Sequence, residues 1–321
     1  MAAPTSLLEA VTYFADLDRA HAYFDTVRWP NGAACPRMGC GSADVRAVPT
    51  RRRYRCRECK RDFTSKVGTI FEDSPLGLDK WLPAVWLLTN AKNGISSCEL
   101  ARALKVTQKT AWFMLHRIRV AYGLTDAEPL SGEVEADETF IGGRKRTTWT
   151  SRAGFKKMEH GPSTGKATVF GMVERRRADK PGHAHNRVRA MVVPDRSRAS
   201  LMPKIREHVL PGSVLYTDAW GPYKSTREEY VHFIIDHAVA YVEGRVHTNT
   251  IENFWSCVKR TLHGTYIAPR AFHLDAYLDE QVWRFNERDD NDGGRFAKAA
   301  KAVDGKRLTY KTLIARNTSK G

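Results

Sequence analysis

Four cysteines constrain this chain more than any other feature: Cys35 and Cys40, fifteen intervening residues, then Cys56 and Cys59. Two close pairs at that separation are what four thiolates need to surround one tetrahedral Zn(II). Each pair then sits on a knuckle turn, and the segment between them returns as a β-hairpin. RAVPTRRRYRCRECKRDF supplies that hairpin, with Tyr54 and Phe63 packed on it and its Arg and Lys side chains facing out. A pair of disulfides is the rival arrangement, which a reducing compartment disfavours. The four-residue gap of the first pair is looser than the usual two. Cys98 and Cys257 fall inside predicted helices with no close partner in sequence, and read as small buried residues.

Charge narrows the partner. The 321 residues carry a formal net charge of +16. Three stretches, 51–66, 144–166 and 295–321, hold all of that excess. Positive charge concentrated on an otherwise balanced protein suits a polyanion, because neutralising phosphates releases counterions. Solvated charged edges are the plain alternative. With 42% hydrophobic residues the chain can bury a core, which excludes wholesale disorder. No apolar run reaches bilayer length, and the N-terminal residues lack a secretory pattern. The expectation is a cytoplasmic, nucleoid-associated protein with no membrane partner.

After the cysteines, Asp79–Leu88 reads as a buried helix. Ser96 or Ser97 then caps a short helix through Leu104, and Thr107 caps a second one to about Ala121. Ala111, Trp112, Leu115 and Ile118 give the second helix an apolar face. The pair resembles a helix-turn-helix, whose second helix enters the major groove; an ordinary helical hairpin is the alternative. Gln108, Lys109, His116 and Arg119 are the candidates for exposed contacts.

From residue 131 the pattern changes. Strands are predicted over GEVEADETFIGG, ATVFGMVE and NRVRAMVVPD, a helix over 199–209, strands over SVLYTD and EYVHFIID, and a helix over TIENFWSCVKRTL. That order predicts an α/β ribonuclease-H-like core with a mixed five-stranded sheet. Two-metal phosphoryl transfer needs carboxylates converging from separate elements, and Mg(II) prefers such hard oxygen ligands. Asp137 falls mid-strand, Asp218 at a strand end and Glu252 at a helix start. Glu252, Ser256 and Lys259 form one stripe of that helix, so an acid and a cation stack two turns apart on one face. Each acid also has a structural reading. Alternation does not choose Asp137 over Glu138, Asp218 can start a turn, and Glu252 can be the third-position partner of an Asn249 cap. His247 and His263, flanking the helix, read as packing groups. A further helix from His273 to about Arg288 presents Leu274, Tyr277, Leu278, Val282 and Phe285 as core or dimer surface.

VEADETFIGG, LYTDAW, HTNTIENFWSCVKRTLHGTY and HLDAYLDEQVWRFNER resemble the ISXO2-like DDE transposases of the IS1595 group, over roughly residues 15–290. These proteins are similar in carrying an N-terminal zinc ribbon. The resemblance implies a catalytic triad of Asp137, Asp218 and Glu252 holding two Mg(II) or Mn(II) ions, with Lys259 as the following basic residue and Asn249 as a further participant. One structural Zn(II) on Cys35, Cys40, Cys56 and Cys59 completes the cofactors. The implied activity is cleavage at transposon ends and transfer into target DNA. The implied partners are double-stranded DNA, both terminal inverted repeats and target, and a second copy in a homodimer or higher oligomer. Arg51, Arg52, Arg53, Lys109, Arg119, Arg144, Lys145, Arg146, Lys259 and Arg260 are the expected DNA contacts, joined by Lys156 and Lys157. The expected organisation is 1–75 N-terminal segment and ribbon, 76–125 helix-turn-helix, 126–290 catalytic domain and 291–321 basic tail. A junction-resolvase-type nuclease and a non-catalytic DNA-binding regulator are the competing classes.

Overall fold

A computed structural model describes residues 4–123, 128–142, 166–176, 185–218, 229–235, 247–267 and 269–315; the side chains of Asp218, Ile234 and Ile235 are outside the description. The chain divides into two compact units, one of residues 1–123 with 287–321 and one of residues 124–286.

In the first unit, α1 (Leu7–Phe14) and α2 (Leu17–Arg28) precede a three-stranded antiparallel sheet of β1 (Val45–Val48), β2 (Arg53–Cys56) and β3 (Asp62–Phe63). Tyr54 pairs with Phe63 across β2 and β3, and their rings stack with centroids 5.5 Å apart, as the hairpin reading expects. Helices α3 (Leu78–Asn90), α4 (Ser97–Leu104) and α5 (Gln108–Tyr122) follow. Ser96 and Glu99 form a reciprocal capping box on α4, and the Thr107 side chain accepts the Thr110 N–H to start α5. Each side chain satisfies a backbone donor that a helix start leaves without an internal partner. Lys105, in the left-handed region at φ 51°, makes the tight turn between them.

The stretch 291–321, expected as a basic tail, contains α9 (Asp292–Lys301) and α10 (Tyr310–Ile314). Helix α9 presents charge on one side and Phe296, Ala299 and Ala300 on the other, all buried. Phe296 lies in the middle of an aromatic cluster: its ring centroid is 5.5 Å from Phe14, 5.7 Å from Tyr23 and 5.0 Å from Trp86. Tilted and stacked ring contacts of this kind add to the burial of large apolar rings.

The second unit is built on a five-stranded sheet in the order β6-β5-β4-β7-β8. Its strands are β4 (Glu133–Ile141), β5 (Ala167–Glu174), β6 (Arg187–Val193), β7 (Val214–Asp218) and β8 (Val231–Ile235). The first three run antiparallel as a meander, and β7 and β8 run parallel to β4 and to each other. This is the ribonuclease-H-like arrangement expected from the element order. Helix α6 (Arg198–His208) covers one face, packing Leu201, Met202 and Ile205 with Val134, Ala136, Phe170, Met172 and Leu215. Helices α7 (Asn249–Gly264) and α8 (Leu274–Asn286) cover the other, where Ile251, Phe254, Trp255, Val258 and Leu262 join Ile141, Val169, Val173 and Val188. The α8 residues Leu274, Tyr277, Leu278 and Val282 belong to that core. The central strand β4 is therefore covered on both faces, which removes the polar–apolar alternation of a half-exposed strand.

Candidate functional site

Odd-numbered residues of β4 look toward α7. Asp137 is half-buried there, and its Oδ2 accepts a 3.0 Å hydrogen bond from Trp255 Nε1. Asp137 faces Gly171 across the antiparallel ladder. A Cβ on Gly171 would lie 2.5 Å from Trp255 Cζ2, so only glycine leaves room for the indole against the sheet. A glycine inside a strand signals such a close approach, and it is the trace in the sequence that leads to Trp255.

Asp218 ends β7. The parallel ladder pairs Glu133 with Val214, Val134 with Leu215 and Glu135 with Tyr216. The ladder ends there: Asp218 lies two residues beyond Tyr216 at the end of β7, and Asp137 lies two residues beyond Glu135 in the middle of β4.

Glu252 lies exposed in the first turn of α7. The N-cap is Thr248, not Asn249, and Thr248 makes no side-chain cap bond, so Glu252 is the fourth helical residue and not the partner of a capping box. The Thr248 hydroxyl donates to Glu252 Oε1 at 3.3 Å. The cap is supplied from β4 instead: Glu135 Oε2 accepts the Ile251 N–H at 2.9 Å. Two carboxylates of one strand, Glu135 and Asp137, thus fasten the two ends of the Ile251–Trp255 turn, and Glu252 falls between them. Asn249, Lys259 and Arg260 are exposed on the same helix.

Glu135 is fully buried and is paired with Arg175, whose Nε lies 2.7 Å from Glu135 Oε1. Arg175 follows β5. It also reaches Glu133 Oε2 at 3.1 Å, donates to the His247 carbonyl, and lies 3.1 Å from His247 Nδ1. Its guanidinium sits 4.2 Å from the ring centroid of Tyr216 on β7. His247 is thus a packing group, as expected, whereas His263 is exposed. The Glu135–Arg175 link is not visible in the sequence, because it spans 40 positions.

The metal-ligand expectation in the first unit is met directly. Cys35, Cys40, Cys56 and Cys59 bring their sulfurs within 4.8 Å of one another. The Cys35–Cys59 and Cys40–Cys56 sulfur separations are 3.8 and 3.7 Å. Tetrahedral zinc with bonds of about 2.3 Å demands sulfur separations of about 3.8 Å, so the cluster fits one Zn(II). Burial pushes the Cys35 thiol up to about 11, while the backbone N–H of Arg61 draws Cys59 down to about 7. Among the described residues this is the one gathering of three or more such ligands. Cys98 and Cys257, expected inside, are exposed: the first turn of α4 and the polar side of α7 leave them in solvent.

The expected DNA contacts divide. Arg51, Arg53 and Lys109 are exposed, and Lys109 Nζ lies 4.8 Å from the Tyr310 ring centroid. Arg52 is exposed and ion-paired with Asp18. His116 and Arg119 correct the sequence reading: both are buried, each only 1% exposed, because they lie on the inner side of α5. Arg144, Lys145, Arg146, Lys156 and Lys157 lie outside the described residues.

Comparison with known proteins agrees with this anatomy. The ISXO2-like transposase domain matches residues 129–286, and the transposase zinc-ribbon domain of the IS1595 group matches residues 16–62. An uncharacterised protein in the transposable element ISH50 of Halobacterium salinarum is 29% identical over 78% of this chain and 84% of its own length. An uncharacterised transposase-like protein of Haemophilus influenzae is 40% identical over 31% of this chain and 81% of its own length. The solved pre-cleavage Mos1 transpososome aligns over 70% of this chain and 79% of the matched chain, with 10% identity and a TM-score of 0.16, too low to bear on the fold. The chain belongs to the ISXO2-like family of IS1595-group insertion-sequence transposases.

Proposed function

We propose that this transposase cuts DNA at the ends of its insertion sequence and joins the freed ends to a target duplex, using Asp137, Asp218 and Glu252 as its carboxylate set. The observation that supports the reading is the fastening of α7 to β4 by the Glu135–Ile251 and Asp137–Trp255 bonds, on the helix turn that also carries Glu252, with β7, which ends on Asp218, paired parallel to β4. Three carboxylates are a hard oxygen donor set suited to Mg(II) or Mn(II). Two such ions, when bound, supply an activated water and charge neutralisation at the leaving oxygen.

The chain's own part is positioning. Asp137, Asp218 and Glu252 would hold the two ions, and Lys259 with Arg260 grips phosphates from the exposed side of α7. Water adds to phosphorus and the bridging 3′ oxygen leaves, taking up a proton to become a 3′-hydroxyl. That hydroxyl then displaces the bridging 3′ oxygen of a target-strand phosphodiester, so one bond forms for each bond broken. The zinc ribbon, through Arg51 and Arg53, and α5, through Gln108 and Lys109, bind duplex DNA. The segment holding Arg144, Lys145 and Arg146 adds phosphate contacts. Two ends to be cut call for at least a dimer on DNA.

The test is a duplex bearing the element's terminal inverted repeat, incubated with full-length protein and Mg(II), with cut and joined products resolved on a gel. Asp137→Ala, Asp218→Ala and Glu252→Ala should each abolish both products and leave binding intact. Cutting without joining in the native protein would favour the resolvase-type nuclease. Binding with no metal-dependent cutting would favour the regulator.

A further inference from the structure

We infer that the buried Glu135–Arg175 pair is a positioning device that sets the spacing of the carboxylate site; this rests on the proposed role of Asp137, Asp218 and Glu252. The three elements that carry those acids all meet at one guanidinium. Arg175 bonds Glu133 and Glu135 of β4, the strand of Asp137. Its Cζ lies 4.2 Å from the ring centroid of Tyr216, two residues before Asp218 on β7. It donates to the His247 carbonyl, immediately before Thr248, the N-cap of the helix that carries Glu252. Glu135 then completes the circuit by holding the Ile251 N–H.

An ion pair that served stability alone would need no such placement. Burying a carboxylate and a guanidinium is costly, and apolar residues of equal volume often hold a fold as well or better. The planar fork of arginine, by contrast, fixes several partners in one geometry, which a lysine point charge cannot do. Groups behind metal ligands that orient them typically change metal affinity or activity 10–100-fold when altered. Neither Glu135 nor Arg175 is a catalytic residue in this account.

The test compares Glu135→Gln and Arg175→Lys with the native full-length protein. Three readouts are taken: Mn(II) binding followed by electron paramagnetic resonance, the cleavage rate at saturating metal, and the thermal unfolding of the second unit. Both variants should raise the Mn(II) concentration for half-saturation by about 10–100-fold, and binding to the terminal-repeat duplex should stay within about twofold. Tyr216→Leu removes the ring beneath the guanidinium and leaves the arginine's hydrogen bonds in place. It should shift Mn(II) binding the same way by a smaller factor, and it keeps the question open to test where a charge variant fails to fold. Unchanged Mn(II) binding with a lowered unfolding temperature in all three would reduce the pair to a structural role and overturn the inference. Native protein that binds Mn(II) no better than Asp137→Ala would instead sink the carboxylate site itself.

Discussion

A single missing methyl group decides how the site is assembled. Gly171 sits opposite Asp137, and the space where its Cβ would be is filled by the Trp255 indole that binds the Asp137 carboxylate. Gly171→Ala forces the indole to move. It should destabilise the second unit by about 1–3 kcal/mol in urea unfolding and should lower cleavage through Asp137. Trp255→Phe tests the same contact from the other side: it keeps the apolar packing, loses the donor, and should reduce cleavage more than stability. At this scale the sequence was informative about chemistry and silent about contacts. Asp137, Asp218 and Glu252 stand out as acids on adjacent elements, but alternation left Asp137 and Glu138 equivalent until the α7 cover on β4 separated them. His116 and Arg119 misled because polar residues at helical spacing normally face water; here Met114–Arg119, the later part of α5, is buried all round, while Gln108 and Lys109 at its start are exposed.

At the scale of elements, local signals proved sufficient wherever the interaction was local. The cysteine spacing, the capping box of Ser96 and Glu99 and the Thr107 cap all act within a few residues, and the structure forms each of them. Ser96→Ala should cost about 1 kcal/mol, read as a shift in the denaturation midpoint of the first unit. Zinc removal is the larger test. The ribbon's buried core is little more than Cys35, Cys56 and Phe63, too small to fold unaided, so metal binding is folding energy there. A strong chelator, or Cys56→Ser, should release one zinc per chain by colorimetric assay and unfold the ribbon. Duplex binding should weaken with it, while the second unit's unfolding transition stays in place. What the sequence did not disclose is the cap of α7, because its acceptor comes from a strand 116 positions away.

The molecule as a whole is a chain that leaves its first unit at Gly123 and returns at Glu287. Each unit contains a histidine whose titration is displaced downward mainly by burial, His21 in the first and His208 in the second. A base depressed below its ordinary 6.5 takes up its proton more readily when unfolded. Its contribution to stability is therefore present above that pH and is lost as the pH falls further. Thermal melts should accordingly show both units losing stability on acidification below about pH 6.5, and the His208→Gln variant should flatten that slope for the second unit alone. Phe296→Ala should cost about 3–5 kcal/mol and unfold the first unit, far in sequence from the substituted residue. The aromatic cluster around Phe296 also bears on the order of synthesis. Phe14, Tyr23 and Trp86 leave the ribosome long before their central partner exists, and the whole five-stranded sheet is translated in between. The sheet unit is complete in sequence before Phe296 is made, whereas the unit bearing the zinc ribbon needs residues translated after that sheet. A nascent chain would thus have its proposed cutting apparatus complete before the unit proposed to grip DNA is finished.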